Sequence, residues 1–138
     1  MSKTETSIKH VFWDWNGTLI DDARFCSSII NELLILHGLK PISFEKYQEF
    51  FEFPVEKYYQ KLGLADKGVS FEQTSREFIE IYNKNWEKCH LQPKAVETLK
   101  EIKGLGLKQS IITAGKTEML GKYVDFHGLT EFFHSLVG

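Results

Sequence analysis

A chain of 138 residues is sized for one domain, with room for an inserted subdomain, and its 42% apolar content supports a packed core rather than disorder. A net charge of −2 with no basic run excludes the positive groove that nucleic acid requires. Cys26 and Cys89 lack C-x-x-C spacing and suit free thiols in a reducing compartment; residues 1–7 are polar, unlike a signal peptide, and no apolar run nears the roughly 18 residues of a membrane span. No membrane contact and a cytoplasmic location are therefore expected.

Residues 8–13 read as a short β-branched and aromatic strand, ended by the turn chemistry of Asp14-Trp-Asn16-Gly17. Residues 22–37 carry Phe25, Ile29, Ile30, Leu33, Leu34 and Leu36 at helical spacing, and Gly38 stops that helix. Ser43 is positioned to cap a second helix bearing Phe44, Tyr47, Phe50 and Phe51. Pro54 breaks it or opens the next, over residues 55–62. Ser70 with Gln73 forms a capping-box signal for a long helix running to about Glu87, with Phe71, Phe78, Ile81, Tyr82 and Trp86 as its apolar stripe. Pro93 falls near the first position of a helix over residues 94–103. A strand over 108–113, a glycine turn at Gly115, a helix over 117–126 and a short strand over 133–137 complete the chain. Both ends thus read as α/β, whereas the middle reads as all-helical.

The chemistry is concentrated at the first strand's end. A carboxylate at the C-terminal lip of a buried strand is well placed to act as a nucleophile, and open α/β sheets bind ligands at that edge. Taken alone, Asp-x-Asn-Gly is a common turn. Asp21 and Asp22 read as helix N-terminal charges favoured by the dipole rather than as ligands. The five histidines (His10, His37, His90, His127, His134) show no metal-ligand spacing and read as surface or packing groups. Lys116 reads as solvated, the cysteines as buried thiols rather than nucleophiles, and the aromatics Phe50, Phe51, Phe53, Tyr58 and Tyr59 as packing rather than a substrate cage.

Three stretches in this order and spacing resemble the haloacid dehalogenase superfamily, in particular its phosphoglycolate-phosphatase-like members with a helical C1-type cap. They are V-F-W-D-W-N-G-T-L-I-D at 11–21, F-E-F-P-V at 51–55, and L-Q-P-K-A-V-E-T-L-K-E-I-K-G-L-G-L-K-Q-S-I-I-T at 91–113. The resemblance implies an α/β fold with a partial Rossmann-like parallel-sheet core from residues 1–20 and 91–138, and a helical cap over 21–90. It implies hydrolysis of a small phosphorylated metabolite through an aspartyl-phosphate, with Mg2+ as cofactor. Asp14 and Asn16 take the catalytic positions: Asp14 as nucleophile and metal ligand, Asn16 as metal ligand through its backbone carbonyl. Gly17 lets the chain turn. Thr18 fixes the loop at the substrate site, and Thr113, Ala114 and Gly115 bind phosphoryl oxygens. The insert is the mobile lid.

The chain departs from that pattern in two ways. Family phosphatases carry an aspartate where Asn16 stands, to protonate the leaving group and then activate water, and an amide does neither. Such help is typically worth on the order of 100- to 10,000-fold. The family's lysine and later acidic pair also have no counterpart here: no Asp-Asp or Gly-Asp follows Thr113. Three readings follow. The chain is a fragment of a longer hydrolase, an inactive binding or interaction module, or a chain whose exposed first strand supports self-association. The first is preferred, with weak or absent activity expected of these residues alone.

Overall fold

The computed structural model describes residues 8–52, 54–113 and 117–138. In chain order the elements are β1 (His10–Trp13), β2 (Ile20–Asp21), α1 (Ala23–Leu36), α2 (Phe44–Phe50), α3 (Val55–Lys61), α4 (Phe71–Asn85), β3 (His90–Leu91), α5 (Ala95–Gly104), β4 (Lys108–Ile112), α6 (Thr117–Phe126) and β5 (Ser135–Val137). Short 3-10 turns lie at Ala65–Lys67, Trp86–Lys88 and Thr130–Phe132. The chain divides into two compact units, one drawn from the described residues of Met1–Asp22 and Cys89–Gly138, the other Ala23–Lys88.

The first unit is a mixed α/β body on a parallel sheet of order β1-β4-β5. Val11 pairs with Gln109, Trp13 with Ile111 and Ile111 with Leu136, so these side chains share one face. That face carries Ile111 and Gln109, both fully buried. Gln109 earns its burial by using both ends of its amide. Its Oε1 accepts from Trp13 Nε1 at 2.9 Å, and its Nε2 donates to the Leu99 carbonyl of α5 at 3.0 Å. One side chain thereby ties two strands to a helix. On the opposite face Ser110 sits between His10 Nε2 at 2.7 Å and Ser135 Oγ at 2.8 Å, a polar relay across three strands.

Two details of this unit depart from the sequence expectation. Helix α5 begins at Ala95, not at residue 94, because Lys94 takes a left-handed conformation (φ 67°) that no helix accepts. A two-residue antiparallel ladder pairs Ile20 with Leu91 and Asp21 with His90. It brings the points where the helical unit leaves and rejoins the first unit side by side. Two residues are too few for periodicity to register.

The second unit is built from α1 to α4 around Ile30, Leu34, Tyr58, Tyr59, Leu62, Leu64 and Val69. The sequence signals act locally as expected. Ser43 Oγ accepts from Lys46 N and Ser70 Oγ from Gln73 N, both at 3.1 Å, and each such cap stabilises its helix by about 1 kcal/mol. Gly38 (φ 80°) ends α1, and the Leu39 amide reaches back to the Leu34 carbonyl at 2.7 Å. Asn31 then pins the following loop through reciprocal bonds to the Ile42 carbonyl (2.9 Å) and amide (2.8 Å). His37 Nε2 meets Glu77 Oε1 at 2.9 Å, joining α1 to α4. The stripe on α4 is shifted from the expected one: Phe71 is partly exposed, and Thr74 is buried with its hydroxyl donating to the Ser70 carbonyl. Phe53 lies outside the described residues.

Candidate functional site

The site grows out of the alternation of β1. After Trp13 the chain leaves the sheet with Asp14 outward, Trp15 inward and Asn16 outward. Trp15 is 1% exposed and is the anchor of the turn. Its indole lies nearly parallel to Tyr123 of α6 (ring centres 6.4 Å apart) and tilted against His127 at 6.1 Å. Its carbonyl accepts the amides of Thr18 (3.2 Å), Leu19 (3.0 Å) and Ile20 (3.2 Å), so the chain wraps round a single oxygen. Gly17 makes the reversal with φ 74°, which a side chain at this position would resist, and its amide returns to the Ile20 carbonyl at 3.0 Å. Gln92 closes the turn from the far side of the insert, donating from Nε2 to the Gly17 carbonyl at 3.2 Å.

This scaffold presents Asp14, Asn16, Gly17 and Thr18 to solvent. Thr18 Oγ1 donates to Asp14 Oδ2 at 3.4 Å, orienting the carboxylate. Because Trp13 pairs with Ile111, Asp14 and Thr113 leave neighbouring parallel strands at the same C-terminal edge. Thr113 is held there by its amide, which donates to the Val137 carbonyl at 2.9 Å. Asp14, Asn16, Thr18 and Thr113 are thus gathered at one sheet edge, while Ala114, Gly115 and Lys116 lie outside the described residues.

Asp22 stands directly before α1, as a helix N-terminal charge would, and does more than that reading expected: it is 2% exposed, with Oδ1 accepting from the Gly17 amide at 2.9 Å and Oδ2 from Asn16 Nδ2 at 2.8 Å. A buried carboxylate needs such donors, and the turn supplies two of them. Asp21 lies in β2, exposed. No spacing rule links an aspartate to a turn five and six residues earlier, so Asp22 left no signal in the sequence. Trp15 and Tyr123 were equally silent as partners.

Burial, with help from Asp22 and Asp21, pushes the Cys89 thiol up to about 11, and burial then Asp22 push Tyr123 up to about 12. Cys89 is therefore a protonated thiol, not a nucleophile, and Cys26 and Cys89 are not disulfide-bonded to each other. Burial, then His90, lowers His127, and its Nε2 has no hydrogen-bond partner among the described residues.

The candidate metal donors are oxygens, the Asp14 carboxylate and the Asn16 carbonyl, which suits a hard dication in kind. In number they are few: among the described residues no group of three or more His, Cys, Asp or Glu side chains could hold a metal ion. Nor is any described helix long and apolar enough to cross a membrane.

Comparison with known proteins bears on the same region. The family model for haloacid dehalogenase-like hydrolases matches residues 11–138. Phosphoglycolate phosphatase 1 of Pseudomonas aeruginosa is 22% identical over 134 residues, covering 93% of this chain and 49% of that protein. Among solved structures, a predicted phosphoglycolate phosphatase from Haemophilus somnus superposes with a TM-score of 0.77 at 20% identity, covering 96% of this chain and 63% of its own. A haloacid dehalogenase-like family hydrolase from Streptococcus pneumoniae gives a TM-score of 0.79 at 19% identity, with coverages of 95% and 61%. At these identities the structural likeness bears on the fold. The chain spans about half the length of the curated relative and about three-fifths of each solved one.

Proposed function

The chain belongs to the haloacid dehalogenase-like hydrolases, and on that premise we propose that its site hydrolyses a small phosphorylated metabolite through a phosphoryl group carried on Asp14. The observation that carries this reading is the placement of Asp14: exposed, at the C-terminal end of β1, beside the end of β4, with the Thr18 hydroxyl 3.4 Å from Oδ2. In the first step a carboxylate oxygen of Asp14 forms a bond to phosphorus as the bond to the leaving oxygen breaks. In the second, water attacks phosphorus, inorganic phosphate departs and the carboxylate is regenerated. Thr113, Ala114 and Gly115 hold the phosphoryl oxygens, Thr113 from its place at the shared strand edge. Mg2+, held by the Asp14 carboxylate and the Asn16 carbonyl, supplies charge neutralisation between an anionic nucleophile and an anionic phosphate when bound. The helical unit acts as the lid that excludes water and reads the leaving group.

Asn16 gives this mechanism no proton for the leaving oxygen, because an amide is not an acid at neutral pH. With two metal donors from the described residues as well, we expect these 138 residues by themselves to turn over slowly. The test is a covalent trap: incubation with beryllofluoride and Mg2+ is expected to label Asp14, and Asp14→Asn to abolish the label. No capture by the native chain would sink the nucleophile assignment. Fast hydrolysis of an alkyl phosphate such as glycerol phosphate, lost in Asp14→Asn, would instead overturn the expectation of weak activity.

A second reading, an interaction module, rests on the sheet. Strand β1 is an edge of the described sheet, and Phe12 on it is 56% exposed, on the same sheet face as the exposed Ile112 of β4 and Val137 of β5. Such an edge supports self-association. Sedimentation showing a metal-independent dimer, with no beryllofluoride capture, would favour this alternative over the hydrolase.

A further inference from the structure

Asp22 is the one buried carboxylate among the described residues. Both of its oxygens are spent on the turn that follows Asp14: Oδ1 on the Gly17 amide at 2.9 Å and Oδ2 on the Asn16 side-chain amide at 2.8 Å. The turn's inner side is fixed by Trp15, whose ring packs on Tyr123 and whose carbonyl gathers three amides. Its outer side has the long Thr18–Asp14 bond, the Gln92 contact to the Gly17 carbonyl and the Asp22 clamp. Of these, the clamp is the shortest, and both of its bonds end on one buried carboxylate. Hydrogen bonds to an ionised acceptor are roughly twice as strong as neutral ones.

We infer that Asp22 is a positioning residue for the Asp14 turn, acting through Asn16 and Gly17, and that its presence explains why an amide stands at position 16. The inference rests on the proposed function in calling the turn a nucleophile's support. Position 16 must donate to a carboxylate oxygen 2.8 Å away. An amide does so. An acid there would set two carboxylate oxygens against each other at that separation, a repulsion that pushes the turn off its seat. Position 22 must accept from Gly17, and an amide oxygen can do that as well as a carboxylate. Exchanging the two residues therefore preserves both hydrogen bonds with the polarity of one reversed: the amide now at 22 donates to the acid at 16, and its oxygen still accepts from Gly17.

The experiment uses the isotopically labelled native chain, Asn16→Asp, Asp22→Asn and the double exchange, with three readouts. In the native chain, a through-hydrogen-bond scalar coupling between the Gly17 amide nitrogen and the Asp22 carboxyl carbon is expected. Each single change is expected to move the Gly17 amide proton upfield and lower the thermal midpoint. It should also weaken Mg2+-dependent beryllofluoride capture about tenfold, the equivalent of about 1.4 kcal/mol. The double exchange is expected to restore all three to near native values, a rescue that a generic helix-end role would not give. An absent coupling in the native chain overturns the inference without any variant, as does a double exchange no better than the worse single change. Failure of the native chain to capture beryllofluoride counts against the hydrolase reading alone, because the coupling and the rescue of the midpoint still decide the role of Asp22.

Discussion

Tyr58 offers a sharp test of how the helical unit is held together. Its side chain is 1% exposed in α3, ringed by Phe51 at 5.2 Å, Tyr47 at 5.8 Å and Tyr59 at 6.0 Å between ring centres. Its hydroxyl has no hydrogen-bond partner among the described residues. Burial, chiefly, drives the phenol far above its ordinary range, so the oxygen stays protonated and its donor idle. An unpaired buried hydroxyl costs roughly 1–3 kcal/mol. Tyr58→Phe removes that oxygen and leaves the ring contacts. The void it creates, on the order of 10 Å3, returns only about 0.2 kcal/mol at about 24 cal/mol per Å3. The net expectation is a gain of about 1–3 kcal/mol. A urea titration followed by circular dichroism should show the midpoint rising with an unchanged slope. Tyr58→Leu, which also removes ring packing, should instead lose more than about 2 kcal/mol. A lower midpoint for Tyr58→Phe would refute the reasoning, since it would mean that the hydroxyl has a partner worth more than its desolvation.

The titrating groups make the chain sensitive at both ends of the pH scale. Cys89, Tyr59 and Tyr123 have folded pKa values raised to about 11, about 12 and about 12, so the stability they favour is complete below their unfolded values of 9.0 and 10.0 and is lost as pH climbs. Stability measured in denaturant should therefore fall steadily between about pH 9 and 12. His127 has the opposite sign: its folded pKa lies below the ordinary 6.5, so stability is present above that value and lost as pH falls through the folded one. The acid limb of the profile should flatten in His127→Leu. Gln109→Leu strips the acceptor from Trp13 Nε1 and the donor from the Leu99 carbonyl. With the Leu99 carbonyl left buried and Trp13 Nε1 partly so, a loss of about 1–3 kcal/mol is expected in the same titration.

Much of this architecture is legible in the residue order, and the reasons are local. Ser43 and Ser70 precede helices because their hydroxyls accept the first free amides, a bond that needs no tertiary context. The spacing of Ile29, Ile30, Leu33 and Leu34 names the buried face of α1, and all four are buried. What escaped depends on contacts distant in sequence or on conformations against type. Lys94 adopts a left-handed backbone that its composition argues against. Thr74 is buried because the Ser70 carbonyl takes its hydroxyl, a satisfaction that a hydropathy stripe does not register. The Ile20–Leu91 ladder joins residues on either side of the whole helical unit.

The site was legible only in its outward half, and the inward half bears on its chemistry. The sequence put Asp14 at the strand's end with Asn16 and Thr18 beside it. It was silent on Trp15 as anchor and on Asp22 as clamp, which together grip the turn from both sides. A turn gripped this way fixes Asp14 and engages the Asn16 amide with Asp22, so under the proposed chemistry the leaving oxygen departs without an acid from position 16. The expected signature is a steep dependence of phosphoryl transfer to Asp14 on leaving-group acidity. In single-turnover measurements aryl phosphates of acidic phenols should react far faster than alkyl phosphates, by more than the roughly 100- to 10,000-fold that a general acid supplies. The Asn16→Asp, Asp22→Asn exchange places an acid at the exposed position with both hydrogen bonds kept, and the dependence should become shallower in it. A native chain indifferent to leaving-group acidity would show that a proton reaches the leaving oxygen from another source, and the mechanistic weight given to Asn16 would have to be withdrawn.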